Sequence, residues 1–165
     1  MPRVWRTGIN TVSSDGEIWK PHVTVAAICE EDGRFLLVRE EVDGKVVLNQ
    51  PAGHLDPGES LQQAVVRETL EETAYHFQPQ HVTGIYRFVA NESTAQTYLR
   101  FAFSGTTGER QDLPLDEGII AAEWLTLEQL EQNRQYLRTP MVMQCILDYL
   151  HKPAYPLQLF SPDFL

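Results

Sequence analysis

The sequence predicts an α/β (α+β) domain built as a mixed sheet with helices packed on it, and three observations carry that prediction. Short apolar runs bounded by turn residues recur at 22–28, 35–38, 45–48, 81–90, 96–104 and 119–125, the pattern of strands. Helical periodicity occupies 60–73, 126–133 and 141–151. Strands outnumber helices, yet the two alternate along the chain, as in a sheet covered by helices.

Each element has a local cause. Residues 1–19 read as an N-terminal extension, with a turn at Ser13-Ser14-Asp15-Gly16. The first strand starts after Pro21, and Glu31-Asp32-Gly33 turns it into Phe35-Leu36-Leu37-Val38. Val42-Asp43-Gly44 leads into the third run, and NQPAGHLDPG at 49–58 is too rich in Gly and Pro for anything but a loop. Ser60 is a good helix N-cap, and Gln63 three residues later completes a capping box. Two strands follow, and then 105–117, polar and containing Pro114, reads as a surface loop. Thr126 caps the second helix, Pro140 opens the third, and 152–165 reads as an irregular tail. No internal repeat or linker appears, so 20–165 is expected to form a single domain.

Composition narrows the function. With 165 residues, 42% of them hydrophobic, the chain is long enough for one real core. No run of eighteen apolar residues and no apolar leader is present, so neither a membrane span nor a secretory signal is expected. Cys29 and Cys145 both lie in apolar surroundings and read as buried thiols, which makes the cytoplasm the expected address. A formal net charge of −10 excludes a protein that grips a nucleic-acid strand through a basic patch. It leaves room for a small phosphorylated substrate, because a bound divalent cation reverses the local field.

The first helix breaks its own pattern. Taking Leu61 as origin and advancing about 100° per residue, Ala64 and Val65 fall on the core-facing side. Glu68 and Glu72 then fall at about 340° and 20°, continuing that stripe, with Glu71 close by at about 280°. Clustered carboxylates resist burial unless a cation compensates them. Mg²⁺ suits oxygen ligands, with Mn²⁺ as the alternative ion. Taken alone, the cluster is equally open to reading as a solvated acidic face.

The surrounding residues decide between these readings. Gly53, Glu59, Arg67, Glu68, Glu71 and Glu72 reproduce the spacing of the Nudix box, G-x5-E-x7-R-E-U-x-E-E-x-G-U, so the chain resembles the Nudix hydrolases. Further runs, KPHVTVA, NQPAGHL, PQH at 79–81, LRFAF, LRTP and YPL, resemble a bacterial phosphatase branch of that family. The resemblance implies an α/β/α sandwich around a mixed sheet. It implies metal ligands at Glu68, Glu71, Glu72 and the carbonyl of Ala52, with Arg67 and Glu59 as the supporting ion pair. Two departures stand out: Ala74 replaces the box glycine and Tyr75 the following aliphatic residue. If the helix exit needs positive φ, alanine there costs about 1 kcal/mol.

The implied reaction is hydrolysis of a phosphoanhydride bond by water, which demands positioning and charge neutralisation. Glu68 is the first candidate for general base, and Glu117 in a later loop the second, with Asp116 its neighbour and competitor. Arg39 and Arg100 are candidate phosphate ligands, and His54 a candidate substrate contact. Tyr86, Phe88, Tyr98 and Trp124 are candidate stacking surfaces, each equally readable as core. The resemblance implies nucleoside tri- and diphosphates or hydroxymethylpyrimidine pyrophosphate as substrates; a monomer and a homodimer are both left open as the working form. ADP-ribose or a dinucleotide is the alternative substrate. A non-catalytic nucleotide sensor is the alternative function, and the intact box carboxylates favour the enzyme.

Overall fold

A computed structural model describes residues 19–91 and 96–160. The extension expected over 1–19 therefore lies, apart from Trp19, outside the described residues. The strands are β1 (His22–Glu31), β2 (Arg34–Val42), β3 (Lys45–Asn49), β4 (Ala52–His54), β5 (Tyr75–Asn91), β6 (Gln96–Arg110), β7 (Ile119–Thr126) and β8 (Tyr155–Pro156). The helices are α1 (Leu61–Thr73), α2 (Leu127–Gln132) and α3 (Pro140–His151).

The sheet runs β3-β2-β1-β6-β5-β8, with β4 added to β1 and β7 to β2. It is mixed, because β1 and β6 are parallel while the other pairs are antiparallel. The β1–β2 hairpin pairs only at its tip, Glu30 with Phe35 and Glu31 with Arg34. Beyond the tip the strands part, and β4 docks on β1 at Thr24–Ala26.

Why β1 is apolar on both sides is visible in its packing. Val25, Ala27 and Cys29 face Ala64 and Val65 of α1, together with Leu36, Phe77, Val82 and Phe103. Ile28 faces the other way, joining Phe35, Leu37 and Ala102 against Met141, Val142, Cys145 and Ile146 of α3. A strand covered on both faces has no solvent side to keep polar, so it reads as a continuous apolar run. That two-sided burial makes the α/β/α sandwich.

The structure corrects four expectations. Strand β5 starts at Tyr75 rather than 81, and β6 continues through 105–110 instead of dissolving into a loop. These ends pair with each other, Tyr75 with Arg110 and Phe77 with Thr107, in a largely solvent-exposed ribbon. A ribbon covered by little can be polar, and that polarity looked like a loop. Pro79 is tolerated because the only pairing on its far side, among the described residues, is to β8 at His81 and Val82. The loop 49–58 contains β4, and the tail contributes β8.

Helix α1 starts as expected: Ser60 Oγ accepts the Gln63 N–H and the Gln63 side chain accepts the Ser60 N–H. Its exit does require positive φ. Ala74 sits at φ 60°, ψ 16°, donating its N–H to the Leu70 carbonyl. The strain of an L-residue there, about 1 kcal/mol, is offset by complete burial of the alanine methyl, worth a similar amount. Alanine is thus an affordable substitute for glycine at this exit. Thr69, standing at the aliphatic place of the box, is also fully buried and donates its hydroxyl to the Val65 carbonyl at 2.7 Å.

Candidate active site

Arg67 is the hub of the site. Its guanidinium grips Glu59 with two bonds, Nε to Oε2 at 3.0 Å and Nη2 to Oε1 at 2.6 Å. A planar fork matched to a carboxylate is the geometry only arginine offers. Nη1 also donates to Glu68 Oε1 at 2.8 Å and Glu71 Oε2 at 3.0 Å, and Nη2 to the His54 carbonyl at 3.0 Å. Glu59 in turn accepts the Asp56 N–H at 2.7 Å. One side chain therefore fixes α1, strand β4 and the intervening turn in a single arrangement.

The carboxylates differ sharply in environment. Glu72 is only 8% exposed and its Oε2 accepts the Ala52 N–H at 2.8 Å. Burial pushes its pKa up to about 8. Burial also raises the pKa of Glu68, whose side chain is 12% exposed, against the opposing pull of Arg67. Glu71 lies further out, with 40% of its side chain exposed. The wheel set Glu68 and Glu72 equally within the buried stripe and Glu71 beside it; the structure separates the first two, burying Glu72 more deeply.

Gly53 explains how Glu68 fits. A Cβ built on Gly53 would lie 2.1 Å from Cδ and both oxygens of Glu68. The carboxylate therefore rests where any other residue would place its side chain. Gly53→Ala is expected to push Glu68 aside, lowering kcat by about 100-fold. The melting temperature should move little, because only the far end of a flexible side chain has to yield. Steady-state kinetics alongside thermal unfolding checks this, and parallel losses of activity and stability would contradict it.

The donor set suits a hard divalent cation, since it consists of carboxylate and carbonyl oxygens. Glu72, deeply buried with a single backbone donor, is the kind of carboxylate that such an ion would stabilise. Among the described residues, however, no three acidic, histidine or cysteine side chains are already gathered as a metal cage. Glu68 and Glu71 are instead turned towards Arg67.

Beyond β4 lies a cavity of about 370 Å³, lined by residues that include Thr24, Asn49, Gly53, Tyr98, Arg100 and Thr139. His54, one of the expected substrate contacts, lines it too, its ring 5.6 Å from His22 and 6.2 Å from Tyr98. Burial lowers the His54 pKa, assisted by His22 and Arg138. Arg100 also lines the cavity, 9% exposed, with burial lowering its pKa. Its Nη1 makes a long contact of 3.4 Å to Gln50 Oε1.

Other expected residues are placed elsewhere. Arg39 is held at both oxygens of Glu123, at 2.6 and 2.9 Å, and does not line the cavity. Of the aromatic candidates, Phe88 and Tyr98 line the cavity. Tyr86 instead donates its hydroxyl to Asp148, and Trp124 donates its indole N–H to Tyr75. Of the loop acids, Asp116 is the one in contact with α1. Its N–H donates to the Glu71 carbonyl at 3.0 Å and its charge helps to raise the Glu68 pKa.

Sequence reasoning missed Thr24, Glu40, Asn49, Gln50, Arg138 and Thr139. Glu40, 7% exposed, accepts from Arg138 at 2.7 Å and faces Glu72 electrostatically.

Comparison with known proteins agrees with this geometry. The NUDIX domain model matches residues 19–144. The phosphatase NudJ of Escherichia coli is 38% identical over 148 residues, spanning 89% of this chain and 94% of that protein. A NUDIX hydrolase from Nitrosomonas europaea superposes with TM-score 0.84 at 47% identity, covering 87% of this chain and 98% of that one. An ADP-ribose pyrophosphatase from Streptococcus suis, at 18% identity and TM-score 0.64, covers 82% and 96% and shares the fold. With its box residues organised around Arg67 and its length matched almost end to end, this chain belongs to the Nudix hydrolase family and is a phosphatase or pyrophosphatase of that kind.

Proposed function

We propose that the chain hydrolyses a phosphoanhydride bond in nucleoside tri- or diphosphates, or in a small related diphosphate such as hydroxymethylpyrimidine pyrophosphate, with Mg²⁺. The observation that carries this reading is the buried carboxylate of Glu72 and the half-buried one of Glu68, beside Gly53 at the edge of a cavity of about 370 Å³. Glu72 and Glu68 hold the cation, with Glu71 and the Ala52 carbonyl completing its protein ligands. Bound there, Mg²⁺ supplies charge neutralisation for the phosphates and acidifies a coordinated water.

The chain's own groups do the rest. Glu68 accepts the proton of the attacking water. Arg67 holds Glu68 in place through Nη1 and fixes the loop through Glu59. Arg100 and His54 face the substrate from the cavity wall. The buried free thiols Cys29 and Cys145 fit a reducing compartment, and we assign the protein to the cytoplasm.

The deciding experiment ranks kcat/KM for nucleoside tri- and diphosphates, hydroxymethylpyrimidine pyrophosphate and ADP-ribose, with Mg²⁺ and after its removal by chelation. The compounds with one organic group should outrank ADP-ribose, and all turnover should stop without the cation. ADP-ribose ranking first would overturn the substrate assignment, and turnover that survives chelation would overturn the metal assignment.

A further inference from the structure

A second cavity, of about 310 Å³, lies under the other end of α3. Met141 at the start of that helix borders the cavity beside β4, and Tyr149 near its end borders this one. Thr24 of β1 lines the first and Glu30 of β1 the second, which puts them about 20 Å apart along one extended strand. The two cavities share no lining residue.

Strand β5 is shaped to serve the second cavity. Against β6, Pro79 pairs with Gly105 and His81 with Ser104, then Val82 with Phe103 and Gly84 with Ala102. Gln80 and Thr83 are each left over between pairs, as the extra residue of a β-bulge. Both line the cavity. A bulge re-aims a side chain, which is why bulges gather beside sites. Thr83 is 5% exposed, and its Oγ1 has no hydrogen-bond partner. Folded proteins rarely keep a buried polar atom unpaired, so this hydroxyl is suited to a partner that enters the cavity.

The lining specifies the kind of partner. Thr83, Ser104 and Thr106 bring hydroxyls from the sheet, and each can give or take a hydrogen bond. Glu30 adds an acceptor from β1, and Lys152 a donor just past the end of α3. An anion would meet the Glu30 carboxylate and the negative end of the α3 dipole. Lys152 does not compensate for both, because it is already engaged by Asp148 Oδ2 at 2.9 Å. A second cation would meet Lys152. A neutral molecule with several hydroxyls satisfies donors and acceptors alike. The polar groups converge from β1, β5, β6 and the end of α3 rather than along one edge, which suits a puckered polyol better than a flat ring. The volume is near the lower end for small-molecule sites, roughly 300–1,000 Å³, so the occupant is no larger than about a monosaccharide.

We infer that this cavity is a second binding site, for a neutral polyol of monosaccharide size, with Gln80 and Thr83 aimed into it by their bulges. It goes beyond the hydrolase reading and does not depend on it.

NMR titration with D-ribose, D-glucose and myo-inositol tests the assignment, with inorganic phosphate and methylammonium as charged probes. At least one polyol should bind with Kd about 1 mM or tighter and shift the amides of Thr83, Ser104 and Thr106 rather than those around β4. Thr83→Val keeps the shape of the side chain and removes its hydroxyl. It should weaken that polyol about tenfold, hold or raise the melting temperature of the free protein, and leave nucleotide hydrolysis unchanged. No binding by any of the three polyols would overturn the proposal, as would a polyol that shifts only the amides around β4. So would phosphate or methylammonium binding here more tightly than the polyols, or a Thr83→Val variant that binds normally or melts earlier.

Discussion

Replacing Glu72 by glutamine should lower Mg²⁺-dependent hydrolysis by at least about 100-fold and, in the cation-free protein, raise stability at pH 8. The two effects have one cause. Glutamine keeps the shape and can still accept the Ala52 N–H through its amide oxygen, but it carries no charge. It loses the ligand and, with it, the desolvation cost of a buried carboxylate. The pH dependence fixes the sign. The Glu72 carboxyl is raised from 4.5 to about 8 in the folded chain. Between those values the folded protein holds a proton that the unfolded chain has released, so stability falls as pH rises across the window. Below it the cost is absent, and above it the cost is complete. Glu68 is shifted in the same direction, also by burial first. Chemical denaturation of wild type and Glu72→Gln at several pH values, without divalent ions, should give a falling curve and a flatter one.

Arg67→Lys should prove nearly as damaging as Arg67→Ala, with kcat/KM down about 10- to 100-fold and a higher Mg²⁺ requirement. Charge is conserved in this substitution, but geometry is not. A single ammonium cannot make the two-point contact to Glu59 while also reaching Glu68, Glu71 and the His54 carbonyl. The Glu59 carboxyl, held below its ordinary pKa chiefly by its bond to Arg67, should titrate closer to a free glutamate once that bond is lost. The stability loss should be modest, about 1–2 kcal/mol, because Arg67 is partly exposed. Mg²⁺ titration of activity checks the claim, and wild-type kinetics in the lysine variant would contradict it.

What the sequence made legible was local. The capping box of Ser60 and Gln63 marked where α1 begins, and the wheel placed Glu72 and Glu68 towards the interior before any coordinates did. Ala74 at the helix exit was recognisable as a substitute for glycine because it stands at the glycine position of the box. The cavity was not legible in the same way. Thr24, Asn49, Arg100 and Thr139 come from β1, β3, β6 and the start of α3, and no spacing in the chain announces their meeting. The pairing of Arg39 was hidden for a related reason: its partner Glu123 lies 84 residues away on β7, and only sheet pairing brings them together. The ribbon at 105–110 was lost because that half of the pair is mostly exposed and polar, and the alternation carried by Tyr75 and Phe77 on β5 has no apolar counterpart on it.

The central physical claim is that Glu72 accepts charge inside the fold when a divalent cation binds. Thermal unfolding of wild type and Glu72→Gln, with and without Mg²⁺, at pH 8 and at pH 5.5, tests it most directly. The account predicts marked stabilisation by Mg²⁺ at pH 8, much less at pH 5.5 where the carboxyl keeps its proton, and little at either pH in the variant. Equal stabilisation of wild type and variant, or none in wild type at pH 8, would contradict it.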